Sequence, residues 1–339
     1  MLLALAKIAS ALNFDGLANG VAERLYRNRK TANYRFSRRY QILAYHRISP
    51  ESHPFFQPTP PAVFEQHVRF LKRCYRVMPL SELVARSQAG EVPERAIAIT
   101  FDDGYRDCYE FAFPILKKYR APATVFVATG VIETGDVLWH DRVFDALRFA
   151  TVERAQLSDP ELPELAVDPK SLRRSLQQVR KRFRSLHGEA RRKLIDEVER
   201  KLKPERPAGA EPRMLTWKQI REMRQAGIEF GSHTVSHPIL SEIPKAEVMW
   251  ELRESMLRLS EELGSPVSSF AYPNGGELDY NDYVKEALIE CGYTYAVTTR
   301  AGINRPFENP FELKRDLAWQ SQIELFRLNL FLRRHELAS

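Results

Sequence analysis

Short, unbroken apolar runs alternate along this chain with longer stretches of helical spacing. QILAY (41–45), YRVMPL (75–80), AIAITF (96–101), ATVFVA (123–128), IEFGSHT (228–234), SSFAYP (268–273) and YTYAVTT (293–299) read as strands. Between them, AVFEQHVRFLKRC (62–74), ELVARSQAG (82–90), RDCYEFAFPILKKYR (106–120) and LTWKQIREMRQAG (215–227) carry apolar residues at helical intervals, as do stretches from about Ala246 to Leu263 and around Tyr283 to Cys291. Ser81 is placed to cap the helix that stops at Gly90. Thr216 with Gln219 forms a capping-box pattern, and Gly227 is a natural end for that helix. Alternating strands and helices imply a mainly parallel sheet with helices outside it, and such sheets carry their chemistry at the C-terminal ends of the strands. Those ends hold His46, the pair Asp102 and Asp103, the pair His233 and His237, and the stretch Tyr272 to Gly276.

The alternation breaks from Trp139 to about residue 210. This stretch is poor in strand signals and rich in Arg, Lys, Glu and Leu, with two helices broken near His187 and Gly188, so it reads as a helical insertion. The last stretch, QSQIELFRLNLFLRRH (320–335), reads as a basic amphipathic helix. At the other end, Leu2, Leu5, Ala6, Ala9 and Leu12 recur at helical spacing ahead of the Arg-rich RLYRNRKTANYRFSRRY (24–40). Either this is a peripheral foot on an anionic membrane, or it is a packed helix followed by a solvated basic linker. The expected organisation is a terminal segment over 1–40, a main domain over 41–319 with the insertion at about 139–210, and a basic helix over 320–339.

With 339 residues, 44% hydrophobic and 28% charged, the chain has ordinary globular composition. Its net charge of +7 favours anionic neighbours without selecting one. Three scattered cysteines, Cys74, Cys108 and Cys291, do not form a disulfide framework and mildly favour a reducing compartment. The N-terminal run is a poor secretory signal, so the expected location is the cytoplasm or the inner face of the membrane. No nucleic-acid-binding motif is visible, and no nucleic-acid partner is expected.

The carboxylate pair poses a physical question, because adjacent like charges repel and burial raises that cost. His233 and His237 stand four residues apart, and if the segment turns as a helix does, both imidazoles point the same way. Two histidines and one carboxylate are a recurring ligand set for a catalytic divalent metal. A cation would offset the repulsion and leave the second carboxylate free as a base. Each motif alone is weak: Asp-Asp-Gly is usually a turn, and a lone histidine is usually structural. Their joint placement at strand ends carries the argument. A two-metal phosphoesterase or nuclease fits poorly, since no second acidic cluster is evident.

TFDDGY (100–105) followed by SHTVSH (232–237) resembles the first two motifs of the polysaccharide deacetylase family, the NodB-homology domain of carbohydrate esterase family four. FAYPNGG (270–276) resembles its third motif, and AYHRI (44–48) resembles a first strand common in bacterial members. The resemblance covers Gln41 to Asp316 apart from the insertion. It implies an α/β fold, a distorted (β/α) barrel of about seven parallel strands, and metal-dependent removal of an acetyl group, usually N-acetyl, from a sugar. Carried over by position, Asp103, His233 and His237 would bind a divalent metal, with zinc as the first expectation. Asp102 would be the base that takes a proton from the attacking water. Tyr272, Pro273 and Asn274 would contact substrate, with a backbone N–H near Tyr272 helping to hold the oxyanion.

Two departures stand out. Many members place an Arg in the third motif to orient the base, where this chain has Ala271; Arg315 is the candidate substitute. Many also carry a late Leu-x-His that supplies the general acid, and none is found here. His46 and His140 are candidates for that role by location only. Trp139 is expected to pack rather than to stack on a sugar. The expected substrate is an acetylated amino-sugar glycan or its lipid-linked precursor, with membrane contact through the basic termini. The competing reading is a barrel whose catalysis has weakened and which serves to bind glycan or membrane.

Overall fold

The first strand, β1 (Gln41–Tyr45), is buried at every position, as an apolar run covered on both faces of a parallel sheet must be. The computed structural model describes residues 38–53, 56–168, 170–186, 188–205 and 213–336. After β1 come α1 (Pro61–Cys74), β2 (Arg76–Val77), α2 (Leu80–Gln88) and β3 (Ala96–Phe101). A π-helical turn (Cys108–Ala112) leads into α3 (Phe113–Tyr119), and β4 (Thr124–Val127) follows. The insertion contains α4 (Trp139–Arg148), β5 (Arg154–Gln156), β6 (Glu164–Ala166), α5 (Leu172–Arg184) and α6 (Gly188–Leu202). The alternation then resumes with α7 (Trp217–Gln225), β7 (Glu229–Ser232), α8 (Lys245–Leu263), β8 (Ser269–Ala271), α9 (Asp282–Cys291) and β9 (Tyr295–Val297). It closes with β10 (Asp316–Leu317) and α10 (Ile323–Arg334).

The main sheet runs in the order β10-β1-β3-β4-β7-β8-β9, and every pair in it is parallel. β2 pairs with the start of β3, on the edge that β4 occupies further along. Seven parallel strands thus curl into a half-barrel with helices outside, the distorted (β/α) barrel expected from the motifs. Strand parity sorts the side chains. Ile97, Ile99 and Phe101 of β3 enter the outer core beneath the helices. Ala96 and Ala98 face the interior with Tyr40, Ile42, Phe126 and Ala271. Asp102 follows on the interior parity, which is how an apolar strand delivers a carboxylate into the barrel.

Several local expectations change. α2 starts at Leu80 behind Pro79, and Ser81 makes no cap; its hydroxyl bonds the Glu229 carboxylate instead. The insertion contains an antiparallel hairpin of β5 and β6, whose three-residue strands are too short to show a period. It also has its own core of Val143, Leu147, Leu165, Val179, Phe183 and Val198, among others. The capping box at Thr216 forms with both of its hydrogen bonds. α10 spends its apolar face on the barrel: Phe326 and Leu330 are buried, and the Phe326 ring stacks on His67 of α1 at 3.7 Å. The helix expected from Leu2 to Leu12 and the basic segment up to residue 37 lie outside the described residues, as does His187. Among the described residues, no helix is long and apolar enough to cross a membrane.

Gly231 in β7 marks a close approach, since a Cβ there would lie 2.5 Å from the Phe126 ring and from Ser269 Oγ. Gly231→Ala is therefore expected to destabilise the protein by about 1–3 kcal/mol. Urea unfolding with an unchanged m-value and a lower midpoint would show it.

Candidate active site

β3 ends at Phe101, and the backbone then leaves the extended region. Asp103 has φ 74° and Gly104 φ 83°. A left-handed non-glycine costs on the order of 1 kcal/mol, and here it turns adjacent carboxylates toward different partners. Gly104 must lack a side chain, because a Cβ would meet Val127 at 2.9 Å.

Asp102 meets Arg315, which is fully buried. Nη1 donates to Oδ1 at 2.7 Å and Nη2 to Oδ2 at 2.6 Å. The guanidinium is itself fixed by Thr298 O at 2.7 Å and Thr100 Oγ1 at 3.0 Å. Burial works against ionisation of Asp102, but the Arg315 charge and fork outweigh it and hold the carboxyl below its ordinary range. Each oxygen keeps a second lone pair that can take a proton.

Asp103 meets the two histidines. Its Oδ1 lies 3.4 Å from Nε2 of His233 and 3.4 Å from Nε2 of His237. Burial opposes its charge, yet the two imidazoles hold its carboxyl well below the usual range. His233 Nδ1 donates to Ala271 O at 2.7 Å. A carbonyl can only accept, so that nitrogen carries the proton. Burial works to lower the His233 pKa, but its hydrogen bond to Asp103 and the charges of Asp102 and Asp103 raise it above the ordinary value; Nε2 offers its lone pair to a cation once its own proton is displaced. Burial pushes His237 down to about 4, which keeps its ring neutral near neutral pH.

The residues between the histidines do not form the helical turn that the spacing suggested. Thr234 (φ 70°) and His237 (φ 58°) are both left-handed, and a compact loop brings the rings together at 4.8 Å. Glu251 of α8 braces that loop. Its carboxylate accepts from the N–H groups of Val235 (2.7 Å) and Ser236 (3.0 Å) and from the Ser236 hydroxyl.

The donor atoms of Asp103, His233 and His237 all lie within 4.8 Å of one another, and all three residues are buried. Donors sharing a tetrahedral cation at ~2.1 Å stand about 3.4 Å apart, so the carboxylate-to-imidazole spacings suit a divalent ion.

A cavity of about 390 Å³ opens over this cluster. Asp102, Asp103, His233, His237 and Asn274 line it, and the insertion walls one side with residues such as Trp139 and Phe183. His46 stands at its mouth, with Nε2 3.9 Å from Asp102 Oδ2. His140 also lines it, but Nε2 of that ring is engaged with the Tyr105 hydroxyl at 3.0 Å, which donates onward to Asp141 at 3.0 Å. The Trp139 indole donates to His237 O at 2.9 Å and stacks near Phe183, so it packs and ties the insertion to the ligand loop.

The third-motif residues divide. The Tyr272 phenol leaves the site, donating to Phe311 O at 2.9 Å and stacking on Tyr280. Its N–H is occupied by Val297 O at 3.2 Å, so the expected oxyanion donor is not available there. Pro273 is buried away from the cavity and gives its carbonyl to Gly275. Asn274 does line it, and its buried Nδ2 has no partner. Glu251, Tyr105 and Thr299, the last of which lines the cavity, carry no expectation from the sequence. Tyr105 stands inside the TFDDGY motif and could have been flagged; Glu251 lies on a helix with no local signal.

A curled parallel sheet whose strand ends gather a buried Asp-His-His cluster, with a separate carboxylate beside it, has the layout of a barrel hydrolase. Residues 89–296, more than half of the chain, match the family model described as polysaccharide deacetylase, and the chain belongs to that family. YxkH of Bacillus subtilis (strain 168), named for the same family, is 23% identical over 276 residues, covering 81% of this chain and 69% of that protein. A poly-β-1,6-N-acetyl-D-glucosamine N-deacetylase of Staphylococcus aureus is 41% identical over 68 residues, only 20% of this chain and 23% of that protein. The fold is similar to Streptococcus pyogenes deacetylase PplD in complex with acetate (TM-score 0.58, 24% identity, 88% of this chain and 98% of that one). It is also similar to IcaB from Ammonifex degensii (TM-score 0.56, 21% identity, 85% and 97%).

Two outcomes follow from this geometry. Arg315→Lys keeps a charge but loses the fork, so it should cut turnover at least tenfold and move the acid limb of the kcat/KM profile to higher pH. The sign follows from linkage: Arg315 depresses the Asp102 pKa, so weakening it lets the proton bind at higher pH. Glu251→Gln should weaken metal retention by about 10–100-fold, read by titration with a chelator.

Proposed function

We propose that this chain is a metal-dependent deacetylase that removes acetyl groups, N-acetyl foremost, from an amino-sugar glycan or its lipid-linked precursor. The observation that carries the reading is the pairing of the Asp103-His233-His237 cluster with an adjacent carboxylate held ionised by Arg315. Asp103, His233 and His237 would hold a divalent cation, zinc by the character of the donors. Such a cation supplies Lewis acidity to the acetyl carbonyl and to water.

The remaining steps belong to side chains. Asp102 takes the proton of the attacking water, and the Arg315 fork fixes its orientation while leaving a lone pair for that proton. Asn274 Nδ2, a buried donor without a partner on the cavity wall, is placed to hold the oxyanion in place of the occupied Tyr272 N–H. His46 donates to the leaving amine: it lines the cavity beside Asp102 and is half exposed, so solvent can reprotonate it. His140 suits this less well, because its Nε2 is engaged with Tyr105 and burial pushes the ring down to about 4. The Arg315 fork favours catalysis over the binding-only reading, since a binder has no use for an oriented, ionised carboxylate beside the cluster. The net charge of +7 favours an anionic, lipid-linked form of the substrate.

Acetate release from an N-acetylglucosamine oligosaccharide, with and without chelator, tests the reading. Asp103→Ala and His237→Ala should each lose both metal and activity. Asp102→Asn should keep the metal and lose turnover by about 10²–10⁴-fold. Full activity in Asp102→Asn would remove Asp102 as the base.

A further inference from the structure

His140, the second residue of α4, lines the cavity over the cluster, and its ring stands 5.2 Å from that of His237. None of the steps of acetyl removal described so far uses it. Its surroundings nevertheless fix which of its nitrogens carries a proton. Tyr105 and Asp141 are buried, and the Tyr105 hydroxyl gives its single proton to Asp141 Oδ2 at 3.0 Å. Burial raises the Asp141 carboxyl to about 6, which leaves it ionised near neutral pH and able only to accept. The Tyr105 oxygen then has only lone pairs left for His140 Nε2, 3.0 Å away, so Nε2 is a protonated nitrogen of that ring. In the neutral ring that burial favours, Nδ1 carries a lone pair. Nδ1 has no hydrogen-bond partner among the described residues and is open to the cavity.

An acetamido group carries an N–H beside its carbonyl. The cluster and Asn274 meet the carbonyl oxygen, and an N–H drawn out of water with no acceptor weakens binding. We propose that His140 Nδ1 accepts the hydrogen bond of that N–H, that Tyr105 and Asp141 hold the ring in the accepting tautomer, and that the arrangement selects amides over esters. An ester has an oxygen at this place, and its lone pairs would face the lone pair of Nδ1 with no proton to share. The bond also fixes the rotation of the amide. The nitrogen lone pair freed as the carbonyl is attacked then stays available for the proton from His46, and the amine leaves with that proton and its original hydrogen. The proposal rests on the deacetylase reading above and assigns the group by which the same site tells an amide from an ester.

The test compares acetate release from an N-acetylglucosamine tetrasaccharide and from the matching glucose tetrasaccharide bearing 2-O-acetyl groups. Wild type, His140→Ala, His140→Asn and Tyr105→Phe are compared at equal metal content. His140→Ala should lower the amide-to-ester ratio of kcat/KM by about 10–100-fold. His140→Asn, whose side-chain oxygen can take the place of Nδ1, should recover most of that ratio. Tyr105→Phe, which frees Nε2 and with it the choice of tautomer, should lower the ratio to a value between wild type and His140→Ala. An unchanged ratio in His140→Ala overturns the assignment and leaves the deacetylase reading standing, as does a wild type that cleaves only the ester. If wild type releases acetate from neither substrate, the deacetylase reading falls, and nitrogen-15 NMR of the imidazoles decides the assignment by itself. A bare Nδ1 on His140 whose signal moves with the amide sugar and not with the ester sugar supports it. A protonated Nδ1, or the same response to both sugars, overturns it.

Discussion

Arg315 reaches Asp102 across 213 positions of chain, and both side chains are withdrawn from water. Burying a lone guanidinium costs several kcal/mol, and burying a lone carboxylate costs a similar amount. Neither is tolerable without the other. The pair therefore obliges β10 and the segment before it to return to the interior beside β1 and β3. The parallel pairing of β1 with β10 is the backbone side of that constraint. The same pair makes the neighbouring charge possible. Two carboxylates ~5 Å apart at an effective dielectric near 20 repel by about 3 kcal/mol. That cost is manageable once Asp102 is neutralised by Arg315 and Asp103 faces two imidazoles.

The fold was largely legible because parallel strands buried on both faces leave unbroken apolar runs. The same parity should have settled one residue that motif matching misplaced. In β8, Ala271 faces the interior, so Phe270 and Tyr272 must face the outer core, where they are found with Tyr280 and Tyr293. Reading Tyr272 as a pocket residue followed the motif against the alternation. Asp103 shows the opposite case. Alternation alone would send it outward beside Asp102, and only its left-handed backbone returns it to the site. No period in the sequence encodes that turn; Gly104 is the local hint. The histidine pair was readable as a pair, but its geometry was not, since the brace from Glu251 comes from a helix that carries no motif. Arg315 could only be a guess, because its partner is distant in sequence and no short pattern joins them.

The site is assembled from two kinds of element. The cluster stands on strand ends and on a loop tied down at Val235 and Ser236 by Glu251 and at His237 by Trp139. Positions of that kind suit groups that must stay within a fraction of an ångström of one another. The cavity walls come from elsewhere: the insertion with its separate core, the loop after β1, and the connection into α10. The insertion is joined to the ligand loop through the Trp139 indole, so the wall cannot shift freely without pulling on His237.

This division has a chemical consequence. Removing an acetyl group needs little of the sugar beyond the amide, so the strand-end residues alone can serve many acetylated substrates. Where substrates share that group, discrimination falls to the walls of the cavity, which the insertion builds with Trp139, Val143, Phe144 and Phe183. Binding energy gained at a wall contact can be spent on orienting a bound group over the strand ends. The cavity walls can therefore be altered, through the insertion and the last connection, without disturbing the strand ends that carry Asp102 and the Asp-His-His cluster.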